Sequence, residues 1–172
     1  MPFRLSFNLK SRSSLPNYYL RVLTPGIFFF ILGMALMLIF IYSPIRIAGY
    51  SIQMHPMVVS SLLAMLGFQI ILYSIIAKDY GVTSGLIEKS KTVALLRKYF
   101  TLERGIMIGA MIASIGFLID LGIFYNWMTK NALSSTTLKL SILATTLLVI
   151  GIEIIFTSFL MSIFSIKRIY ER

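Results

Sequence analysis

The string GFQII, Gly67 to Ile71, returns as GIEII, Gly151 to Ile155, each time inside an apolar run of more than 20 residues. In both copies a polar residue follows the glycine by two positions and a serine follows that by five: Gln69 and Ser74, then Glu153 and Ser158. An amide and a carboxyl at matching depth in apolar surroundings can do one of two things. They can exchange a hydrogen bond between helices, or the carboxyl can carry protons or ions together with Asp120, the other acid inside an apolar run. Proton and ion pathways string several polar groups together. Here Asp120 lies toward the outer end of its run, and no Lys or Arg lies inside any run to offset a charge on Glu153. Desolvation disfavours a charged carboxylate there, so a protonated Glu153 sharing a hydrogen bond with Gln69 is the favoured expectation. Transport through Glu153 and Asp120 is the alternative.

The remaining chemical inventory is short. The chain has six carboxylates, one histidine and no cysteine, which excludes disulfides and thiolate metal sites. His55 precedes Pro56 and has no second histidine with which to share a metal, so it reads as an interfacial residue. Asp79 follows Lys78, Glu88 precedes Lys89 and Glu103 precedes Arg104, as expected of locally neutralised charges at headgroup level. There is no paired-aspartate signature for a metal and sugar nucleotide, no GxGxxG and no phosphate loop. No catalytic residue, metal or cofactor is expected from these 172 residues.

The elements that must position these groups are membrane helices. A hydrophobic fraction of 58%, a mean hydropathy of +0.87 and only 13% charged residues make the bilayer the solvent. The net charge of +10 sits in the gaps between apolar runs, which points to anionic headgroups and away from nucleic acid. Four runs reach the roughly 20 residues that a hydrocarbon core needs: 26–45, 57–77, 105–127 and 140–164. Runs this long and continuous exclude barrel strands, so the expected fold is all-α, a polytopic membrane domain of two similar helical hairpins. Pro25 and Pro56 read as helix starts. Leu23, Gly26 and Ile27 correspond loosely to Leu102, Gly105 and Ile106, and Gly105, Gly109, Ala113 and Gly116 form a small face suited to helix packing.

Residues 1–25 read as a basic cytoplasmic or interfacial arm, 26–164 as the membrane domain and 165–172 as a basic tail. The first run is too long for a cleaved signal and is expected to stay in the membrane. Thirteen of the 16 Lys and Arg residues fall on one side of the alternating gaps and three on the other, which puts both termini and the middle loop in the cytoplasm. Tyr125 and Trp127 mark the far interface. In the middle loop Val93, Leu96 and Phe100 share a helical face away from Lys91 and Lys98, as in a helix lying along the headgroups; a soluble connecting helix is the alternative.

The strings AKDYGVTSG (Ala77–Gly85), LERG (Leu102–Gly105), GFQ and GIEIIFTSF, with LPNYYLRVLTPG (Leu15–Gly26) before the first run and HPM (His55–Met57) before the second, carry a family resemblance. The chain from Leu15 to Phe164 resembles the C-terminal membrane region of family 2 glycosyltransferases of the dolichyl-phosphate mannosyltransferase type, which act on polyprenyl phosphates. In that family a soluble domain ahead of the helices holds the metal and nucleotide site, and nothing in these residues corresponds to it. Glu153 stands where the family would have glutamine. The resemblance implies a membrane module without its catalytic part, either a separated subunit or the product of a rearranged gene. Its expected role is a non-catalytic anchor or accessory module that sets a partner glycosyltransferase subunit at the cytoplasmic face of a prokaryotic cell membrane. Lys78, Arg97, Lys98 and Arg104 would hold a lipid-linked phosphate such as polyprenyl phosphate. A small proton-coupled transporter and an orphan structural protein are the competing classes.

Overall fold

The computed structural model describes residues 16–42, 45–47, 50–52, 54–83, 102–130 and 134–170. Among the described residues four helices carry the fold: α1 (Pro16–Tyr42), α2 (His55–Thr83), α3 (Leu102–Lys130) and α4 (Ser135–Tyr170). Each is long and apolar enough to cross a membrane, over Arg21–Ile41, His55–Val82, Leu102–Thr129 and Ser135–Ile163. The fold is all-α apart from a short ribbon between α1 and α2, in which β1 (Ile45–Ile47) pairs antiparallel with β2 (Tyr50–Ile52), Arg46 opposite Ser51. Isoleucine and tyrosine alternate with other residues on either side of Ala48 and Gly49, a hairpin signal that the long apolar runs overshadow.

The helices outrun the apolar stretches except at the end of α1, which stops at Tyr42 short of the expected boundary at Ile45, a residue that belongs to β1. Pro25, expected in the first turn of α1, lies inside the helix, which starts at Pro16 instead. Its ring removes the hydrogen bond to the Arg21 carbonyl, and Arg21, which is exposed, begins the apolar span, so water at the interface can serve that carbonyl. Pro56 does stand in the first turn of α2, where the Met54 carbonyl accepts from the N–H groups of Met57 and Val58 at 3.1 Å each. The amphipathic segment expected around Val93, Leu96 and Phe100 lies outside the described residues.

α1 packs on α2 and α3 on α4; the two hairpins meet mainly where α2 crosses α4, with a smaller contact between α1 and α4. Glycines set both hairpins. A Cβ on Gly67 would collide with the Phe30 backbone nitrogen and come within 2.8 Å of the Gly26 carbonyl; one on Gly151 would lie 2.5 Å from the Ala113 nitrogen and 2.6 Å from the Gly109 carbonyl. In the same way Gly33 lies against Ser60 and Ala64, and Gly116 against Ala144 and Leu148. Backbones approach this closely only where side chains are missing, and such approach supplies the van der Waals contact that lipid cannot.

These contacts define the repeat. Gly26 and Gly109 lie 83 residues apart, as do Gly33 and Gly116; Gly67 and Gly151 lie 84 apart, as do Ala64 and Leu148, which face Gly33 and Gly116. The sequence match of Gly26 with Gly105 is therefore off by one helical turn. Gly105 and Gly109 look alike in sequence, but Gly109 makes the approach to Gly151 while Gly105 faces Ser158. Each repeat crosses the membrane twice and re-enters in the same direction, so the halves are related about an axis along the membrane normal.

Candidate functional site

Gln69 and Glu153, repeat mates 84 residues apart, meet where α2 crosses α4. Gln69 Nε2 donates to Glu153 Oε1 at 2.8 Å. Residues at equivalent positions touch each other only on the axis that relates them, so this pair marks the centre of the bundle. Glu153 Oε2 is buried without a hydrogen-bond partner among the described residues. Two buried hydroxyls of α4 turn back on their own helix: Ser158 Oγ donates to the Ile154 carbonyl at 2.8 Å and Thr146 Oγ1 to the Ile142 carbonyl at 2.6 Å.

Asp120 does not join this pair. It reaches across the α3–α4 seam, where Ser141 Oγ donates to Oδ1 at 2.7 Å and Thr145 Oγ1 to Oδ2 at 3.0 Å. Thr145 and Glu153 are eight residues apart on α4, about 12 Å along the axis. The two intramembrane acids thus occupy separate networks, one central and one on the flank. Asp120, Ser141 and Thr145 line a cavity of about 400 Å³ with Phe124, Trp127 and Leu138.

Of the basic residues expected at the headgroups, Arg97 and Lys98 lie outside the described residues. Arg104 is exposed in the first turn of α3. Lys78 is only 4% exposed and Asp79 2%, near the end of α2. Both take part in interactions within the protein, which burial of charge demands. α2 ends and α3 begins on the same membrane face, so Lys78 and Arg104 share that face. His55 is exposed at the start of α2, and among the described residues no three His, Asp or Glu side chains gather as a metal-binding group.

One basic residue lies in the sequence just before the run 140–164, outside every apolar run. Lys139 lies within α4, is 6% exposed, and its Nζ donates to the Phe40 carbonyl at 2.8 Å. Phe40 is among the last residues of α1, where carbonyls have no intrahelical partner and the helix end carries partial negative charge. The lysine thereby ties the second hairpin to the first. Its signal was periodic: Lys139 falls in register with Thr146, Ile150, Ile154, Thr157 and Met161, the buried face of α4.

No curated protein and no solved structure matches the chain. A family model does: residues 75–165 match the glycosyltransferase family 2 C-terminal transmembrane region. The match takes in the end of α2, residues 84–101, α3 and α4 up to the last turns, and leaves α1 and most of α2 outside it. Matched over more than half of its 172 residues, the chain belongs to the C-terminal transmembrane region of glycosyltransferase family 2.

Proposed function

We propose that this chain is a non-catalytic membrane module that holds a family 2 glycosyltransferase domain, supplied by a partner chain, at the cytoplasmic headgroup plane. Membership in a transmembrane region of that family is the observation that carries the reading. The bundle also spends its central amide and carboxyl on each other, as a scaffold would, and does not converge them on a substrate-sized chamber. In this reading the charges of Lys78, Arg97, Lys98 and Arg104, expected at one headgroup plane, attract a lipid-linked phosphate, polyprenyl phosphate being the one the family resemblance suggests; Lys78, buried in the bundle, acts through its field and not by direct contact. Each Lys or Arg near an anionic surface is worth about 1 kcal/mol.

Flotation tests the proposal. Liposomes bearing the purified protein are mixed with the family 2 catalytic chains of the same genome, and at least one should rise with these liposomes and not with bare ones. The purified protein alone should make no product from sugar nucleotides and polyprenyl phosphate. If every catalytic chain ignores the protein, or if the protein alone turns over, the proposal fails.

A proton-coupled transporter using Glu153 and Asp120 has one observation in its favour, the unpartnered Glu153 Oε2. Against it stands the separation of the two acids into different networks. Flux in liposomes that is lost in both Glu153→Gln and Asp120→Asn would establish it.

A further inference from the structure

The repeat shows what the flank of α3 and α4 does not need. The positions matching Asp120, Ser141 and Thr145 in the first hairpin are Met37, Met57 and Ser61, at the same spacings of 83 and 84 residues. Met37 and Met57 are 1% and 0% exposed, and Ser61 Oγ donates to the Val58 carbonyl of its own helix at 2.9 Å. Both hairpins therefore hold the same backbone approach, one with buried methionines and the other with a carboxyl and two hydroxyls on an open cavity. Helix pairing alone does not call for the polar trio.

The chemistry of the cavity is that of a cation receptor. Each oxygen of Asp120 accepts one hydroxyl, at 2.7 and 3.0 Å, whereas a carboxylate has room for about four hydrogen bonds. The remaining capacity faces the cavity, and among the described residues no basic side chain reaches the carboxyl. Phe124 and Trp127 wall the same cavity with ring centroids 6.0 Å apart, 54% and 47% exposed. Aromatic faces attract cations, and lone pairs left over on the carboxyl oxygens suit the N–H groups of an ammonium. Asp120 lies seven residues, about 10 Å, deeper than Trp127, which is close to the end of the span at Thr129. The cavity thus reaches inward from the headgroup layer.

We infer that this cavity binds an ammonium group, with Asp120 accepting its N–H protons, Phe124 and Trp127 facing its charge, and Ser141 and Thr145 fixing the carboxyl. The ammonium is carried either by a phosphatidylethanolamine-type headgroup or by a small soluble amine. The site is independent of any glycosyltransferase partner.

Trp127 is the only tryptophan in the chain, so its emission reports on this cavity alone. The full chain is placed in phosphatidylglycerol nanodiscs and titrated in two arms, with increasing phosphatidylethanolamine in the discs and with ethylammonium in the buffer. A saturable emission change is expected in at least one arm. A response confined to the lipid arm assigns the headgroup, and a response to ethylammonium in discs without phosphatidylethanolamine assigns the soluble amine. Asp120→Asn, checked for unchanged helical content, should weaken the midpoint about tenfold. Phe124→Leu leaves the carboxyl and its hydroxyl partners in place and should weaken it about threefold. No saturable response in the wild type, or the same midpoint in wild type and both variants, overturns the site.

Discussion

The two hairpins are built on one plan and finished differently. In the first, the seam around Gly26, Gly33 and Gly67 is closed by apolar side chains, with the rings of Phe30 and Phe68 tilted against each other at 5.5 Å and Met37 and Met57 sealed inside. In the second, Ala113 stands in place of Phe30, Ile152 in place of Phe68, and the methionine positions hold Asp120 and Ser141. Their shared glycine contacts show which features pair the helices. What differs between them is free to serve another purpose.

The largest effects should come from the shared features. Gly67→Leu and Gly151→Leu both force a side chain into a facing backbone, and each should cost about 3 kcal/mol, the upper end for overpacking. Gly122→Leu has nothing within 4 Å of its Cβ and should be near neutral. Thermal unfolding in detergent ranks the three variants. If Gly122→Leu were as damaging as the others, the glycine seams would not be what pairs the helices.

The polar pair on the axis comes next. Glu153→Leu leaves the Gln69 amide without its acceptor and should cost about 0.6–2 kcal/mol, whereas Glu153→Gln keeps a carbonyl for it and should cost less. Equal losses by the same thermal assay would show that the hydrogen bond contributes nothing. Lys139→Met removes the donor to the Phe40 carbonyl and should cost about 1 kcal/mol, visible as weaker association of the first hairpin with the second.

The smallest change in stability should accompany the largest chemical change. Asp120→Met with Ser141→Met copies the first hairpin into the second, and the double variant should unfold within about 1 kcal/mol of wild type. Unfolding on reconstitution would mean that the polar trio holds α3 to α4, and the contrast between the hairpins would lose its meaning.

Much of this could be read along the chain. Four crossings followed from run length, and the doubled hairpin from GFQII and GIEII, because strong local patterns survive without knowledge of neighbours. The register of α1 against α3 could not be read, since Gly105 and Gly109 are equivalent until a facing helix chooses between them. Pro25 misled for the opposite reason: it tends to start helices, but near an interface its lost hydrogen bond is tolerable. Asp120 was visible as an acid, whereas its partners Ser141 and Thr145, 21 and 25 residues away, emerge only once the hairpin closes. Lys139 was hidden because a charge beside an apolar run reads as loop, although its register with the buried face of α4 held the clue.

The absence of cysteine from the sequence permits the most direct test of the repeat. Cysteines placed at both Gln69 and Glu153 face each other across the axis, whereas cysteines at Gln69 and Asp120 lie in separate networks. Mild oxidation in native membranes should convert the Gln69→Cys/Glu153→Cys chain almost completely to an internally cross-linked, faster-migrating band and leave Gln69→Cys/Asp120→Cys reduced. Cross-linking of the second pair without the first would contradict an axis running through α2 and α4, and with it the account of two halves sharing one scaffold.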